Sequence, residues 1–270
     1  MLEIDGDAIA DHRLHLPDAP VGPAWVADAH AWFDDRAQGP VGNIMEASQR
    51  IPSAPMTQGM PRPMPPSPPF QGPDLAKLLG LRLCHDLGGL AGTVGNALDM
   101  LDSIGPEASA LASDAATGLR RRLLLWRAML GGQEGATLGT LLDLLEGQLA
   151  GGRATADATA ADPAMPVAPG IVPVLLSAMM VAGEALPRGG VVRLAADGRQ
   201  GFAILPEGPR IAWSPTLVRI IGGGALLGEP TAREVLPLWL GAMAAAERVQ
   251  LGMALAPGGG TGPLMLTLPA

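Results

Sequence analysis

Apolar residues recur every three or four positions over a long stretch of this chain. From Leu75 to Leu101 the steps are three and four throughout, which is the spacing of one face of an α-helix. After a turn at residues 103–106, the same spacing runs from Leu111 to Leu130, so we predict an antiparallel hairpin of two helices. A hairpin alone cannot bury both stripes, and we expect two copies to pair as a homodimeric four-helix bundle. The stripes consist of Leu75, Leu79, Leu83, Leu87, Leu90, Val94, Ala97 and Leu101 on the first helix, and Leu111, Ala115, Leu119, Leu123, Trp126 and Leu130 on the second.

The chain before the hairpin has two segments of different composition. Residues 1–50 hold nine acidic residues and three arginines, and form an acidic N-terminal extension. This extension is either a disordered tail or a docking segment that uses its two tryptophans and one phenylalanine. Nine of the 23 residues in 51–73 are proline, which excludes a helix or a central strand and predicts an extended linker. The hairpin domain then covers residues 74–135, with Asp74 as the expected N-cap of its first helix.

Helix-like and strand-like patterns alternate over residues 136–270, which predicts an α/β sandwich. The fold class is therefore α+β, a helical hairpin followed by this sandwich. The expected helices cover 137–149, 172–186, 215–221 and 231–246, and the expected strands cover 191–195, 202–205, 249–254 and 263–268.

The composition excludes several classes of protein. The chain has 18 basic and 26 acidic residues in 270, with no Lys/Arg cluster, so nucleic acid is not an expected partner. A single cysteine, Cys84, excludes a disulfide framework and a cysteine-based zinc site. The longest apolar stretch, 171–185, is interrupted by Pro, Gly and Glu and is too short to span a membrane. Because the amino terminus is also acidic, unlike a secretory signal, we expect a cytoplasmic protein with no membrane partner and no metal.

His85 is the only histidine after residue 73, so imidazole chemistry in the folded part must use it. At about 100° per helical residue, the leucine stripe lies about 160–180° away, and we expect His85 to point away from the core. Its side of the helix carries basic, small or polar residues. These are Lys77, Arg82, Gly88, Gly89, Gly92, Asn96 and Asp99, together with the apolar Leu78.

Glycines inside this helix need an explanation. Each costs about 1 kcal/mol relative to alanine, so the four between positions 88 and 95 together cost about 4 kcal/mol. One explanation is that a partner's backbone must approach the imidazole closely, as when a phosphoryl group passes between a histidine and a partner's aspartate. The alternative is that His85 is an ordinary surface histidine and the glycines mark a loop or a close helix contact.

Four segments of the chain resemble a known family. Residues 83–87, LCHDL, and 95–101, GNALDML, look like the LCHDL and NGLELL signature of the ChpT-type histidine phosphotransferases of alphaproteobacteria. Residues 118–132, GLRRRLLLWRAMLGG, resemble the second helix of that family, and 182–190, AGEALPRGG, resemble its AAEALPRGG turn. The resemblance covers about residues 74–268.

The resemblance implies both a fold and a role. The hairpin would be a dimeric bundle like the dimerisation domain of histidine kinases, and residues 136–270 a degenerate relative of their ATP-binding domain. His85 would accept a phosphoryl group from the receiver domain of a hybrid sensor kinase and pass it to response regulators. Asp86 would be the acidic neighbour that holds the imidazole, unless it is a solvated helix charge. Candidates for docking the receivers are Lys77, Arg82, Gly88, Gly89, Gly92 and Asn96, and with less support Arg120, Arg121, Arg122 and Arg127, whose simpler interpretation is a solvated face.

The motifs of a nucleotide site are absent from the sequence. Where such kinases carry an asparagine for magnesium, residues 175–180 read LLSAMM. No DxGxG element is present, and the glycines at 222–224, without a following Lys-Ser/Thr, are more typical of a helix terminus. We therefore expect a phosphorelay intermediate without a cofactor. The alternatives are an autophosphorylating histidine kinase and a non-catalytic adaptor that docks receivers.

Overall fold

Two long antiparallel helices open the described part of the molecule. The computed structural model describes residues 73–131, 133–196, 201–224, 229–255 and 261–269. The acidic extension and almost all of the proline-rich linker predicted above therefore lie outside the described residues.

The hairpin consists of α1 (Pro73–Asp99), a single turn α2 (Leu101–Ile104) and α3 (Pro106–Gly131). Gly105 reverses the chain with a φ of +52°, a conformation that glycine adopts without steric cost. Proline at the first position of α3 has no backbone N–H to leave unpaired there. Helices α1 and α3 pack against each other along their length.

The apolar stripes of the hairpin are only partly covered in a single chain. Leu75, Leu79 and Ala97 of α1 and Ala115 and Trp126 of α3 are buried, as the spacing predicts. Other stripe leucines remain exposed, because each helix has one long partner and the stripes are wider than that contact. These are Leu101, Leu111, Leu123 and Leu130, joined by Leu98 from outside the predicted stripe.

The rest of the chain forms a sheet with helices packed on it. In chain order the elements are α4 (Leu138–Leu145), a 3₁₀ turn (Leu149–Gly152), β1 (Ala154–Asp157), α5 (Ile171–Glu184), β2 (Gly190–Ala196), β3 (Gly201–Glu207), α6 (Pro215–Ile221), α7 (Val235–Ala246), β4 (Gln250–Leu255) and β5 (Thr261–Thr267). Within the described ranges the strand order is β1-β2-β3-β5-β4, with β1 parallel to β2 and the other pairs antiparallel. Helix α5 contacts β2 and β3, and α7 contacts β4. The molecule is therefore a mixed α+β protein.

The C-terminal end of α3, which is the base of the hairpin, shares one hydrophobic core with the sheet-containing part, α4 to β5. Residues 171–183 of α5 are all buried, and α5 packs against α3 and α7. Leu125, Trp126 and Met129 of α3 belong to the same buried cluster as α5. The indole Nε1 of Trp239 on α7 also donates a hydrogen bond to the carbonyl oxygen of Met129, at 3.2 Å. The core thus crosses the predicted domain boundary after residue 135.

Three elements differ from the sequence prediction. Helix α4 ends at Leu145 rather than at 149. Two residues later, Gly147 takes a φ of +70°, which is outside the helical region. Strand β1 falls in a stretch predicted as loop. Helix α7 begins at Val235 rather than at 231, because the Glu234 carboxylate accepts a hydrogen bond from the Thr231 backbone N–H and forms a turn there.

Helix α5 is the most completely buried helix, but it has only 14 residues. In the described ranges no helix combines the length and the apolar character needed to cross a membrane.

Candidate functional site

His85 lies near the middle of α1 with 84% of its side chain exposed. Its Nδ1 is 3.3 Å from Oδ1 of Asp86. When Nδ1 carries the proton it donates to this carboxylate, and Nε2 then presents its lone pair outward. The geometry thus places a nucleophilic nitrogen at the surface beside an internal hydrogen-bond acceptor.

The inward-facing side of α1 is rotated about the helix axis from the predicted side, by about half of the 100° between consecutive residues. The side of α1 that faces α3 and the sheet-containing part carries the buried Leu79 and Ala97 and the partly buried Asp86 and Leu90, at spacings of seven, four and seven. His85 is about 100° from Asp86 around the helix, so it lies beside this inward-facing side rather than opposite it. The prediction that His85 points away from the core still describes its exposure. Its sequence neighbour Asp86, by contrast, is drawn inward, and its side chain is 9% exposed.

The surface around His85 is bare. Gly88, Gly89, Gly92 and Gly95 all lie within the continuous helix α1, so they do not mark a loop. A Cβ atom added to any of them would have no neighbour within 4 Å outside its own helical turn. Within one chain the glycines therefore do not mark a close helix contact either. Asn96 and Lys77 are exposed on the same helix.

Asp86 is held by arginines. The Arg82 guanidinium donates from Nε to both carboxylate oxygens of Asp86, at 3.0 and 3.1 Å. Arg122 of α3 brings Nη1 to 3.9 Å from Oδ2 of the same carboxylate. Both arginine side chains are less than one fifth exposed, at 18% and 16%. Arg82, a predicted receiver-docking residue, is thus engaged inside the molecule.

Glu184, the last residue of α5, completes the network. Nη2 of Arg82 donates to its Oε1 at 2.7 Å. Burial raises the pKa of the Glu184 carboxyl, and the attraction of Arg82 offsets only part of that effect. Burial acts to lower the pKa of Arg82, but Glu184 and Asp86 outweigh it, so the pKa of Arg82 lies above its ordinary value.

Arg122 is the less well compensated cation of the network. Burial lowers its pKa, against the attraction of Asp86 and with the repulsion of Arg82. Its Nε is buried and has no hydrogen-bond partner among the described residues. The sequence placed Arg122 on a solvated face. Neither its role nor that of Glu184 was predicted, although Glu184 lies in the AGEALPRGG segment that resembles the family turn.

The remaining basic candidates lie at the surface. Lys77 lines an open groove of about 410 Å³ between the start of α1 and residues 229–232. Arg120 and Arg127 are exposed, and Arg121 has Nη1 3.6 Å from Oε2 of Glu146.

Comparison with known proteins identifies the sheet-containing part. Residues 138–257 match the family model of the histidine phosphotransferase C-terminal domain. The match covers 120 of the 270 residues and lies within the sheet-containing part. The family resemblance predicted from the sequence is thereby confirmed for this part of the chain.

One solved structure shows a similar fold. A structure titled as a bacterial phosphotransferase aligns with a TM-score of 0.61 and 21% identity, over 74% of this chain and 98% of that one. Full-length ShkA in complex with AMPPNP aligns with a TM-score of only 0.34 and 18% identity, over 72% of this chain and 46% of that one. No curated protein sequence matches the chain.

The middle of α5, where the sequence reads LLSAMM, is buried and mostly apolar. Ser177, in the middle of α5, is fully buried, and its hydroxyl has no hydrogen-bond partner within the described ranges. Gly222 caps the C-terminus of α6, where the sequence favoured a helix terminus over a phosphate loop. No group of three or more His, Cys, Asp or Glu side chains in the described residues is arranged to hold a metal ion.

Proposed function

We propose that this chain is a histidine phosphotransferase that relays a phosphoryl group between receiver-domain aspartates through His85. The observation that carries the proposal is the exposed imidazole with Nδ1 3.3 Å from an internal carboxylate, in a chain that contains a histidine phosphotransferase domain. An ordinary surface histidine would not need a neighbour held in place by two arginines.

The proposed chemistry needs no proton exchange at the ring. In the first step the bond between phosphorus and a carboxylate oxygen of the donor aspartate breaks, and a bond from phosphorus to Nε2 of His85 forms. The Nδ1 proton stays in place, so the phosphorylated ring is cationic and faces Asp86, which stabilises it. Transfer to the second aspartate reverses these changes and restores the neutral ring. Phosphoryl transfer of this kind depends mainly on positioning and on electrostatic stabilisation.

The receiver docks on the bare face of α1 in this proposal. Gly88, Gly89 and Gly92 leave room for its backbone beside the imidazole, and Lys77 and Asn96 flank the same surface. Arg82 is not among the residues that dock the receiver in this proposal, because its Nε and Nη2 are paired with Asp86 and Glu184 within the chain. Its contribution to the relay is internal.

The active form in this proposal is a homodimer. Leu98 of α1, Leu101 of α2, and Leu123 and Leu130 of α3 are between 37% and 52% exposed in the single chain. Pairing two hairpins through these leucines would bury them and produce the four-helix bundle. In this arrangement residues 74–135 carry the phosphoacceptor, and residues 136–270 support it without using ATP.

The test is transfer from a labelled receiver to the full chain. Receiver domains of hybrid kinases, each phosphorylated with radiolabelled acetyl phosphate, are incubated one at a time with the wild-type chain and with His85→Ala. We expect label on the wild type only, with the thermal midpoint of the variant unchanged because the side chain is exposed. Label on His85→Ala would refute the role of His85.

Two further results would favour the alternatives. Labelling of the wild-type chain by radiolabelled ATP, without any receiver, would show an autophosphorylating kinase. Saturable receiver binding without any label on the chain would show a docking adaptor.

A further inference from the structure

Glu184 is the one member of the charge network that the sheet-containing part supplies. It is separated by 102 positions from Arg82, and its side chain ends 2.7 Å from the guanidinium. A continuous series of contacts then runs from Glu184 through Arg82 and Asp86 to Nδ1 of His85.

The anchor at the Glu184 end is rigid. Residues 171–183, the whole of α5 before it, are buried. A Cβ on Gly183 would lie only 3.1 Å from the Leu149 side chain, so the end of the helix is closely packed. The position of the Glu184 backbone is therefore fixed by the core, whereas α1 around His85 is bare on its outer side.

Two local effects disfavour a glutamate at this position. The C-terminus of a helix carries a partial negative charge, which disfavours an acidic residue there. The side chain is also only 32% exposed, and partial burial disfavours the ionised form further. A glutamine would avoid both penalties, but its neutral amide would hold the Arg82 guanidinium more weakly than the carboxylate does.

The geometry of arginine suits a connecting role. Arg82 uses Nε for Asp86 and Nη2 for Glu184, so one planar group fixes two carboxylates relative to each other. A lysine would carry the same charge but would offer only a single point of attachment.

We propose that Glu184 is a positioning residue for phosphotransfer: through Arg82 it holds Asp86 against Nδ1 of His85, so that Nε2 remains the free nucleophilic nitrogen. The inference rests on the proposed role of His85. It gives the sheet-containing part a direct function in the relay, because that part fixes the imidazole tautomer.

The first readout is the tautomer of His85, which does not require any partner. The full chain is labelled with ¹⁵N-histidine, and the His85 signals are assigned by subtraction of the His85→Ala spectrum. In the wild type we expect the Nδ1–H form to dominate. In Glu184→Gln we expect its fraction to fall, because Arg82 loses its charged anchor and no longer fixes Asp86.

The second readout is the rate of transfer from a phosphorylated receiver. We expect Glu184→Gln to slow it about tenfold to a hundredfold, as misplacement of a reacting group does. Arg82→Gln should slow it similarly. Adding Glu184→Gln to Arg82→Gln should then have no further effect, because Glu184 acts only through the arginine.

Glu146→Gln is the matched control. Like Glu184, Glu146 is a carboxylate of the sheet-containing part that pairs with an arginine of the hairpin, in this case Arg121. That pair is well exposed, and it is not part of the network around His85. We expect both readouts to remain at the wild-type level in this variant.

Each outcome decides the proposal. Unchanged tautomer and rate in Glu184→Gln, additive effects in the double variant, or an equal loss in Glu146→Gln would overturn it. If the wild type accepts no phosphoryl group, the proposed function fails, and the tautomer measurement still tests whether Glu184 positions His85.

Discussion

His85 and Asp86 are adjacent in sequence, yet 84% of one side chain and 9% of the other is exposed. The difference follows from the step of about 100° between consecutive helical residues. One residue of the pair meets solvent, while the other meets Arg82 and Arg122. A nucleophile thereby stays accessible while its hydrogen-bond acceptor is fixed from inside the molecule.

The stability of the chain should depend on pH through Glu184. Burial raises the pKa of this carboxyl above its ordinary 4.5, so the folded chain binds the proton more tightly than the unfolded chain. The stability contributed by the protonated form is fully present below pH 4.5 and is lost as the pH rises through the raised pKa.

Glu184→Gln lacks this titration and provides the comparison. The free energy of unfolding of the wild type, measured by urea denaturation relative to the variant, should decrease as the pH rises above 4.5 and through the raised pKa of Glu184. A difference that increases with pH would show that the attraction of Arg82 outweighs the effect of burial.

The local sequence points to His85 and Asp86, but not to the distant residues that contact them. His85 was identifiable as the only histidine after residue 73, and Asp86 as its neighbour in a motif. Glu184 and Arg122 were not, because their roles depend on contacts between elements that are far apart in sequence. Local periodicity shows that a charge lies on a helix, but not which distant charge it meets.

At the scale of elements, the four glycines make α1 a helix with an open side. Gly92→Leu should raise the free energy of unfolding by up to about 1 kcal/mol, since leucine is the better helix former and nothing within 4 Å opposes it. The same change should weaken receiver binding by steric overlap. Receiver affinity and the thermal midpoint measured on this one variant test both effects.

Gly118→Leu on α3 is the contrasting variant. Its added Cβ would lie 3.5 Å from Leu90, so the larger side chain should overpack the hairpin and destabilise it by about 1–3 kcal/mol. A similar destabilisation in Gly92→Leu with unchanged receiver affinity would indicate that the glycines are covered in the dimer rather than by a receiver.

The exposed leucines of the hairpin predict its oligomeric state. Leu123→Glu should shift the chain from dimer to monomer in analytical ultracentrifugation, because it places a charge in the proposed interface. Leu124→Glu is the control: Leu124 is 42% exposed against 47% for Leu123, but it lies about 100° further around α3. An equal effect of both variants, or of neither, would contradict the proposed interface.

Long periodic elements were predictable, and short ones were not. The hairpin follows from 47 residues of repeated spacing, 75–101 and 111–130, and α6 was predicted at its observed bounds, 215–221. Strand β1 was missed because its four residues, ATAD, show neither β-branched enrichment nor clear alternation. It becomes a strand by pairing in parallel with β2, a contact that the local sequence does not encode.

At the scale of the whole molecule, the shared core predicts a single unfolding transition. Leu125 and Met129 at the base of α3 are fully buried in the same cluster as α5, so the hairpin cannot separate from the sheet without exposing that cluster. We expect calorimetry of the full chain to give one peak for residues 74–269, with matching calorimetric and van't Hoff enthalpies. Two resolved peaks, one assigned to the hairpin by its helical circular dichroism, would show that the boundary after residue 135 separates independent units.

The single cysteine of the chain is exposed and directly precedes His85. A nitroxide attached to Cys84 therefore marks the phosphoacceptor helix once per chain, without an engineered thiol and without a background site to remove. In a homodimer the two labels form one pair, so pulsed dipolar spectroscopy should return a single interspin distance. That distance would measure the separation of the two phosphoacceptor helices near His85. A change in the distance on adding a receiver would show that the two helices move relative to each other.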